Sequence, residues 1–380
     1  MLPIYWAGIA FGVYLAVAAA RAGSGTAALP LAAQRARLLD VVRKTRAFLL
    51  DETARTGGKT TMRRAIIIVN PVGGSQGGMA VVCDVLVPRL AIGGVIADRV
   101  LVTEESGHAR RLALEASFDD VDVLIVVGGD GHLQEVVDGV LAREDAARVL
   151  RNVGIAVVPA GTGNGVAKSL GMTSADDVVD AIVADTHRGL DVFRMRTRVP
   201  GKSEPEVRYG CLSVTWGLIA DSDYRSEVTY RWMGQIRLML AAIITVLEFK
   251  AHVGKLTFTR HGSDEEETIE DCFRLFLAGN TTHIAHDVLS TPDCAVDDGS
   301  MDLLLIRGGG RAVILSFFLF ASATSRRHMD HPLVDVIKVS KWRLEPTGDG
   351  HVCLDGNNVP VGTIDVEPGQ TQWRRAFVGA

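Results

Sequence analysis

The pattern of apolar and polar positions changes once along the main part of the chain. Between about residues 65 and 188, short β-branched runs alternate with stretches whose apolar residues recur at helical spacing. From about Leu190 onward, most of the pattern is typical of strands. Strands alternating with helices favour a parallel sheet, whereas consecutive strands favour antiparallel pairing. The pattern predicts an α/β first lobe with a parallel, doubly wound sheet and a mostly antiparallel second lobe, a β-sandwich or flattened barrel.

The same pattern gives the expected elements and boundaries. The strands of the first lobe (residues 63–188) are expected at Ala65–Val69, Arg99–Val102, Val121–Val127 and Gly154–Val158. The strands of the second lobe (residues 189–380) are expected at Val207–Thr215, Lys255–Arg260, Thr268–Gly279, Met301–Arg307, Asp335–Pro346 and His351–Pro368, with helices near Trp232–Phe249 and Arg311–Ser325. Residues 23–62 are expected to form a helical and flexible linker.

An uncharged run, Leu2–Ala20, precedes this folded region. Its length is close to the roughly 20 residues that a membrane-spanning helix needs. Basic residues follow the run and none precedes it, which favours a cytoplasmic location for the rest of the chain. We therefore expect residues 1–22 to be a transmembrane or signal anchor at the cytoplasmic face of a membrane. A cleaved signal peptide and a buried helix remain as alternatives.

Composition restricts the class of partner. A formal net charge of -5 does not favour a protein that binds nucleic acid by broad charge neutralisation. The five cysteines show neither the spacing of a zinc site nor a disulfide framework. The chain therefore resembles an intracellular enzyme more than a secreted or nucleic-acid-binding protein, and its oligomeric state is left open.

Four loops that follow the predicted strands of the first lobe are rich in glycine and small polar residues. They begin at Asn70-Pro71, at Thr103-Glu104, at Gly128-Gly129-Asp130-Gly131 and at Gly161-Thr162-Gly163-Asn164. Glycine allows backbone N–H groups to approach a phosphate closely, so the set indicates a phosphate-binding edge. Ordinary turn chemistry is the alternative for the glycines, and a helix cap is the alternative for Asp130.

Longer segments around these loops resemble the diacylglycerol kinase catalytic superfamily of lipid kinases, and within it the sphingosine kinases. The resemblance spans about Ile66 to Glu367 and is carried by VVGGDGHLQEVVDGVLARED, VPAGTGNGVAKSLG, WGLIADSDYRSEVTYRWMGQIRL, SRRHMDHPLVDVIKV and WRLEP with LDG. It implies a fold like that of diacylglycerol and NAD kinases. It also implies an enzyme that uses ATP and Mg²⁺ to phosphorylate the primary hydroxyl of a sphingoid base at a membrane.

The resemblance also implies roles for individual residues. Asp130 would be the general base, with Glu135 supporting it. ATP would be bound by Asn70, Pro71, Gly73, Gly74, Thr103, Gly129, Gly131, Gly161, Thr162, Gly163, Asn164, Arg231, Arg237, Asp355 and Asn357. The family usually has glutamate where this chain has Asn357, and one extra residue separates Asp223 from Arg231.

The remaining acidic residues are assigned to the substrate and the metal. By resemblance, Asp223 binds the amine of the sphingoid base, with a contribution from Asp221. A buried ammonium group needs a carboxylate partner, which an uncharged diacylglycerol does not. Asp298 and Asp355 would hold magnesium. Turn or capping roles are the alternative for all four residues.

Three other functions are compatible with the same motifs. The substrate could be diacylglycerol or ceramide, both of which lack a cationic amine. It could also be a soluble metabolite, as for NAD kinases, although the Leu2–Ala20 run and the WGLIAD segment argue against this. Finally, Asn357 would suit a membrane adaptor whose kinase site has decayed.

Overall fold

The computed structural model describes residues 30–55, 62–71, 77–229, 236–250, 252–311 and 326–379. The chain forms two compact units, one comprising residues up to Arg188 together with Arg374–Ala380, the other Gly189–Trp373. Within the described ranges, no helix is both long enough and apolar enough to cross a membrane. The predicted anchor at Leu2–Ala20 lies outside those ranges, as do residues 312–325 of the second apolar helix.

The first unit is an α/β fold. Its strands are β1 (Arg63–Val69), β2 (Val95–Val102), β3 (Val123–Gly128) and β4 (Gly154–Pro159). Its helices are α1 (Leu31–Arg55), α2 (Gly78–Val81), which continues through the π-helical turn Val82–Leu86 into α3 (Val87–Ile92), α4 (His108–Glu115), α5 (Asp130–Leu141), α6 (Ala146–Asn152), α7 (Gly165–Ser169) and α8 (Ala175–Ala184).

The four strands of the first unit are parallel and lie in the order β2-β1-β3-β4. Every residue of β3 is buried, as are Ala65–Val69 of β1. A strand with helices on both faces must be apolar on both faces, which explains the continuous β-branched runs in the sequence. The prediction of a parallel α/β first lobe is confirmed.

The second unit is mainly antiparallel sheet. Its strands are β5 (His187–Arg198, which begins in the first unit), β6 (Glu206–Gly210), β7 (Ser213–Gly217), β8 (His252–Arg260), β9 (Glu266–Gly279), β10 (His283–Ala285), β11 (Val288–Leu289), β12 (Met301–Arg307), β13 (Val334–Thr347), β14 (Val352–Leu354), β15 (Asn357–Val359) and β16 (Thr363–Phe377). Its helices are α9 (Leu218–Val228), α10 (Ile236–Glu248) and a 3-10 turn at Arg327–Asp330.

The long strands β9 and β13 organise the second unit. One part of each pairs with β12 and another part pairs with β8, and all of these pairings are antiparallel. Trp216, Phe258, Phe276 and Trp342 lie in the core that these strands enclose. Apolar residues that alternate along these strands meet in this core, as expected for antiparallel sheet with a buried face. The prediction of an antiparallel β-rich second lobe is confirmed.

The final strand returns to the first unit. Ala376 of β16 pairs in parallel with Ile155 of β4, and the N–H of Val378 donates to the carbonyl of Thr186. The sequence placed residues 374–380 in the second lobe, whereas the structure groups them with the first. The order of the elements along the chain does not predict this pairing, because it joins segments that are distant in the sequence.

Candidate active site

Four loops leave one edge of the parallel sheet of the first unit. The N–H of Asn70 donates to the carbonyl of Val127, and the N–H of Thr103 donates to that of Val69, each at 3.0 Å. The strand order reverses between β1 and β3, so the loops after these strands diverge at the edge. Ligands of doubly wound sheets bind at such switch points. The structure thus brings Asn70, Thr103 and Gly129 to a position suited to a nucleotide.

The loops after β3 and β4 contact each other through their backbones. A Cβ atom added to Gly161 would lie 2.2 Å from the Cα of Gly129, and one added to Gly129 would lie 3.1 Å from the Cα of Gly161. Asn164, at φ 58°, closes the second loop, because its Oδ1 accepts from the N–H of Gly161 at 2.8 Å and its Nδ2 donates to the Gly161 carbonyl at 2.9 Å. Close packing therefore leaves no room for a side chain at Gly161 and little room for one at Gly129.

We expect Gly161→Ala to disrupt this edge. The added methyl group would overlap the backbone of Gly129, so the loops must separate at a cost of about 1–3 kcal/mol. The midpoint of thermal unfolding should fall by roughly 5 °C, and ATP should bind more weakly. Gly310→Ala is the matched control, since a Cβ there meets no atom within 4 Å. Equal effects of the two substitutions would contradict the packing explanation.

Asp130 is the first residue of α5 and is only 8% exposed. Its carboxylate accepts from the N–H of Gly165 at 2.9 Å and from the N–H of Val166 at 3.0 Å. Burial raises the pKa of Asp130, and these backbone hydrogen bonds oppose that rise. The side chain therefore connects the GGDG loop to the start of α7, as the helix-cap alternative requires. A base at this position would be stronger than an ordinary aspartate.

Glu135 and Thr103 form the contacts that hold the segment between β2 and α4. Glu135 accepts from the N–H of Gly107 at 2.8 Å, immediately before α4, and it lies one turn beyond Asp130 on α5. The hydroxyl of Thr103 donates to the carbonyl of Val69 at 3.3 Å. These contacts support a role for Glu135 in holding the loop that follows β2.

The other residues assigned to ATP by resemblance have different outcomes. Pro71 follows Asn70 in a turn, Gly131 is the second residue of α5, and Thr162 and Gly163 lie in the loop before α7. Gly73, Gly74 and Arg231 lie outside the described residues, as does the side chain of Arg237. Their assignments stay predictions.

Asp221 lies on α9 in the second unit and is 8% exposed. Its Oδ2 is 2.9 Å from Nε2 of His252, and its Oδ1 is 2.8 Å from Nδ1 of His351 and 3.2 Å from the N–H of His351. Burial disfavours the charged carboxylate, but hydrogen bonding and attraction from the two histidines outweigh it, so the pKa of Asp221 is lowered. An ionised carboxylate only accepts, so both ring nitrogens that face it carry a proton.

Asp223 lies two residues further along α9, so its side chain points to another side of the helix. Its carboxylate makes no hydrogen bond or ion pair with any residue in the described ranges, and its backbone carbonyl accepts from Ser226. Burial, with repulsion from Glu227, raises the pKa of Asp223 to about 7. A cationic group brought to this carboxylate would relieve both effects.

Asp355 and Asn357 lie in a tight hairpin between β14 and β15. Asp355 and Gly356 have φ of 49° and 83°, as in a type I′ turn. The buried carboxylate of Asp355 accepts from the N–H of Cys211 at 2.8 Å, of Leu212 at 3.0 Å and of Ser213 at 2.9 Å. Asn357 pairs with Leu354 across the hairpin. The carboxylate thus connects the hairpin to the start of β7.

We expect Asp355→Asn to destabilise the second unit. Asparagine tolerates positive φ, so the turn is kept, but it has one acceptor oxygen and no charge for the three N–H groups. The loss should be about 2–3 kcal/mol, which lowers the midpoint of thermal unfolding by roughly 6 °C. Asp349→Asn, in the exposed turn that precedes the hairpin, provides the control. An unchanged midpoint would show that the three contacts do not stabilise the fold.

Asp298 is held by a different set of partners. Its Oδ1 accepts from the N–H and hydroxyl of Ser300 at 3.0 and 2.6 Å, and its Oδ2 pairs with Nζ of Lys338 at 3.0 Å. Within the described part of the chain, no three His, Cys, Asp or Glu side chains are grouped so as to hold a metal ion. Asp298 and Asp355 accept from different partners, and their assignment to magnesium stays a prediction.

The sequence analysis missed the two histidines that bind Asp221. They lie 31 and 130 residues from Asp221 along the chain, so no local spacing connects them. It also missed α9 itself, because the WGLIAD segment continues the apolar pattern of β7. Only the hydrogen bonds that Asp221 forms with His252 of β8 and with His351, just before β14, reveal this group.

The class of protein is indicated by the family that the first part of the chain matches. Residues 64–195 match the diacylglycerol kinase catalytic domain. A crystal structure of a diacylglycerol kinase from Bacillus anthracis str. Sterne superposes with a TM-score of 0.58 and covers 84% of this chain and 98% of its own, at 20% identity. That likeness shows the fold.

Within this class, the chain is similar to sphingosine kinases. The chain is 28% identical to sphingosine kinase 2 of Arabidopsis thaliana over 75% of its length, and it spans 65% of that relative. It is 27% identical to sphingosine kinase 1 of Homo sapiens, over 77% of this chain and 85% of the human one. The chain therefore contains a domain of the diacylglycerol kinase catalytic type and is similar to sphingosine kinases. The resemblance inferred from the motifs is confirmed.

Proposed function

We propose that the protein is an ATP-dependent lipid kinase that phosphorylates the primary hydroxyl of a sphingoid base, such as sphingosine or sphinganine, to give the 1-phosphate. Its similarity to sphingosine kinases supports the class of reaction. The observation that carries the choice of substrate is Asp223, whose carboxylate has no partner among the described residues and has a pKa raised to about 7. A lipid that carries an ammonium group would satisfy it.

The first unit would bind ATP and activate the hydroxyl. The loops that meet at Gly129 and Gly161 would bind the phosphates, since backbone N–H groups in glycine-rich turns suit phosphate oxygens. Asp130 would accept the proton of the lipid hydroxyl. At the same time, the hydroxyl oxygen of the lipid would form a bond to the γ-phosphorus of ATP. The bond from that phosphorus to the bridging oxygen breaks, and ADP leaves. Glu135 would hold the neighbouring loop in place.

Magnesium would neutralise the phosphates, as phosphoryl transfer generally requires. The carboxylate oxygens of Asp298 and Asp355 already accept hydrogen bonds from protein donors. These two residues therefore do not present a ready set of metal ligands, and we assign no step of the reaction to a metal bound by them.

The proposal also includes the location of the enzyme. A lipid substrate must be reached at a membrane, and the uncharged run Leu2–Ala20 would attach the chain there with its folded part in the cytoplasm. Carbonate extraction of the full-length chain tests the attachment. Release of the chain into the soluble fraction would contradict it.

Transfer of radiolabelled phosphate from ATP to sphingosine, diacylglycerol and ceramide, measured side by side, tests the function. We expect labelled product with sphingosine and none with Asp130→Ala. Product with diacylglycerol or ceramide instead would assign the enzyme to an uncharged lipid. Absence of product with every lipid would reject the kinase proposal and favour an adaptor, which the Asn357 position would fit.

A further inference from the structure

The carboxylate of Asp221 is already engaged by donors of the protein itself. It receives three hydrogen bonds, two from ring nitrogens and one from the backbone N–H of His351, at 2.8–3.2 Å. The side chains of Asp221 and His252 are 9% and 2% exposed, respectively. A substrate amine that approached Asp221 would have to compete with these buried donors, and displacing one of them would leave a polar group unpaired.

His252 is held in one orientation by its surroundings. Its ring lies edge-on against Trp216, with centroids 5.6 Å apart. Its Nδ1 is buried and has no hydrogen-bond partner among the described residues, so Nε2 is the ring nitrogen that contacts Asp221. His252 therefore joins β8 to α9 through this hydrogen bond.

His351 holds the other side of the helix. Its ring stacks on Tyr224 of α9 at 3.7 Å between centroids and 18° between planes. Asp221 and Tyr224 are three residues apart and share one face of α9, so His351 contacts two successive positions on that face. Cys353, two residues beyond His351 on β14, lies 3.9 Å from the carbonyl of Ala220.

These contacts act on the helix that carries Asp223. Because the side chains of residues i and i+2 point to different sides of a helix, the histidines fix one side of α9 while Asp223 is presented on another. We propose that Asp221, clamped between His252 and His351, is a positioning residue that orients α9 so that Asp223 alone receives the amine of the substrate. This inference rests on the proposed function for the identity of that amine.

A set of four variants tests the proposal through KM and kcat. Asp221→Asn should raise the KM for sphingosine about tenfold and leave the KM for ATP within about twofold, since the loss acts only through Asp223. In an Asp223→Asn background, the same change should have no further effect. His252→Leu should behave like Asp221→Asn. His252→Gln, whose amide nitrogen can replace Nε2 as a donor, should restore the KM.

Hydrogen exchange of the amides of α9 gives a readout that needs no substrate. Exchange across Leu218–Val228 should be faster in Asp221→Asn and His252→Leu, and unchanged in His252→Gln. His261→Leu, at an exposed histidine in the turn after β8, is the matched control and should change neither exchange nor KM. Unchanged exchange in Asp221→Asn overturns the proposal. The proposal is also overturned if the effects of Asp221→Asn and Asp223→Asn on the KM for sphingosine multiply in the double variant. A rise in the KM for ATP equal to that for sphingosine would overturn it as well.

The two proposals fail in different ways. If the unaltered protein transfers no phosphate to sphingosine, the proposed function is wrong, and hydrogen exchange alone then decides whether Asp221 positions α9. If the protein phosphorylates sphingosine but Asp221→Asn has a normal KM, the proposed function stands and the positioning role is wrong.

Discussion

Replacing Asp223 with asparagine should raise the KM for sphingosine about 100-fold, because the ammonium group would lose its charged partner in a partly buried site. The KM for ATP should stay within about twofold, since Asp223 is assigned to the lipid alone. Steady-state kinetics with each substrate varied in turn measures both constants. Glu227→Gln, one turn along the same helix, controls for the loss of a nearby negative charge.

The same carboxylate should make the KM for sphingosine depend on pH. Burial and Glu227 raise the pKa of Asp223 to about 7, so the group is mostly protonated at pH 6 and mostly ionised at pH 8. Only the ionised form pairs with an ammonium group. The KM should therefore fall about tenfold from pH 6 to pH 8 and then level off, and Asp223→Asn should lose this dependence. A flat profile for the unaltered protein would contradict the assignment.

Replacing Asp130 with asparagine should lower kcat about 1,000-fold, as expected for loss of a general base. Asparagine keeps the size of the side chain and one acceptor oxygen, but it cannot take a proton from the hydroxyl. ATP binding, measured by calorimetry, should change little, because the substitution preserves the glycine loops to which we assign the phosphates.

The contacts of Asp130 with α7 require a separate control. The amide side chain in Asp130→Asn would satisfy one N–H fewer, so stability should fall by about 1 kcal/mol irrespective of chemistry. Ser174→Ala removes a comparable contact, since the Ser174 hydroxyl accepts from the N–H of Asp177 at the start of α8. Ser174→Ala should lower the melting midpoint with a normal kcat. A kcat loss in Asp130→Asn no larger than in Ser174→Ala would assign Asp130 a purely structural role.

The first unit follows closely from its sequence. Buried parallel strands need apolar residues on both faces, and loops at their carboxyl ends need residues that tolerate tight turns, so both features are local. β1, β3 and β4 lie within about two residues of their predicted bounds. β2 begins at Val95 rather than Arg99, because its ladder with β1 continues past an irregularity at Asp98 to include Val95–Ala97, which the prediction left outside the strand.

The second unit follows less closely. The segment predicted as one strand at His351–Pro368 contains β14, a tight turn, β15 and the start of β16. The turn forms at Asp355 and Gly356, whose positive φ angles match the Asp-Gly signal of a hairpin. The segment predicted at Val207–Thr215 breaks at Cys211 and Leu212, where the backbone turns its N–H groups towards Asp355.

By itself, the sequence determined the α/β and β-rich halves, the glycine loops and the acidic residues that could carry the chemistry, because these depend on residue type and short-range spacing. Only the tertiary structure decided which acids are already engaged. Asp355 accepts hydrogen bonds from N–H groups more than 140 residues away in the sequence. Asp221 accepts hydrogen bonds from His252 on β8 and from His351, just before β14. The physical reason is that a carboxylate's partners depend on which distant segments pack together, and local periodicity contains no record of that packing.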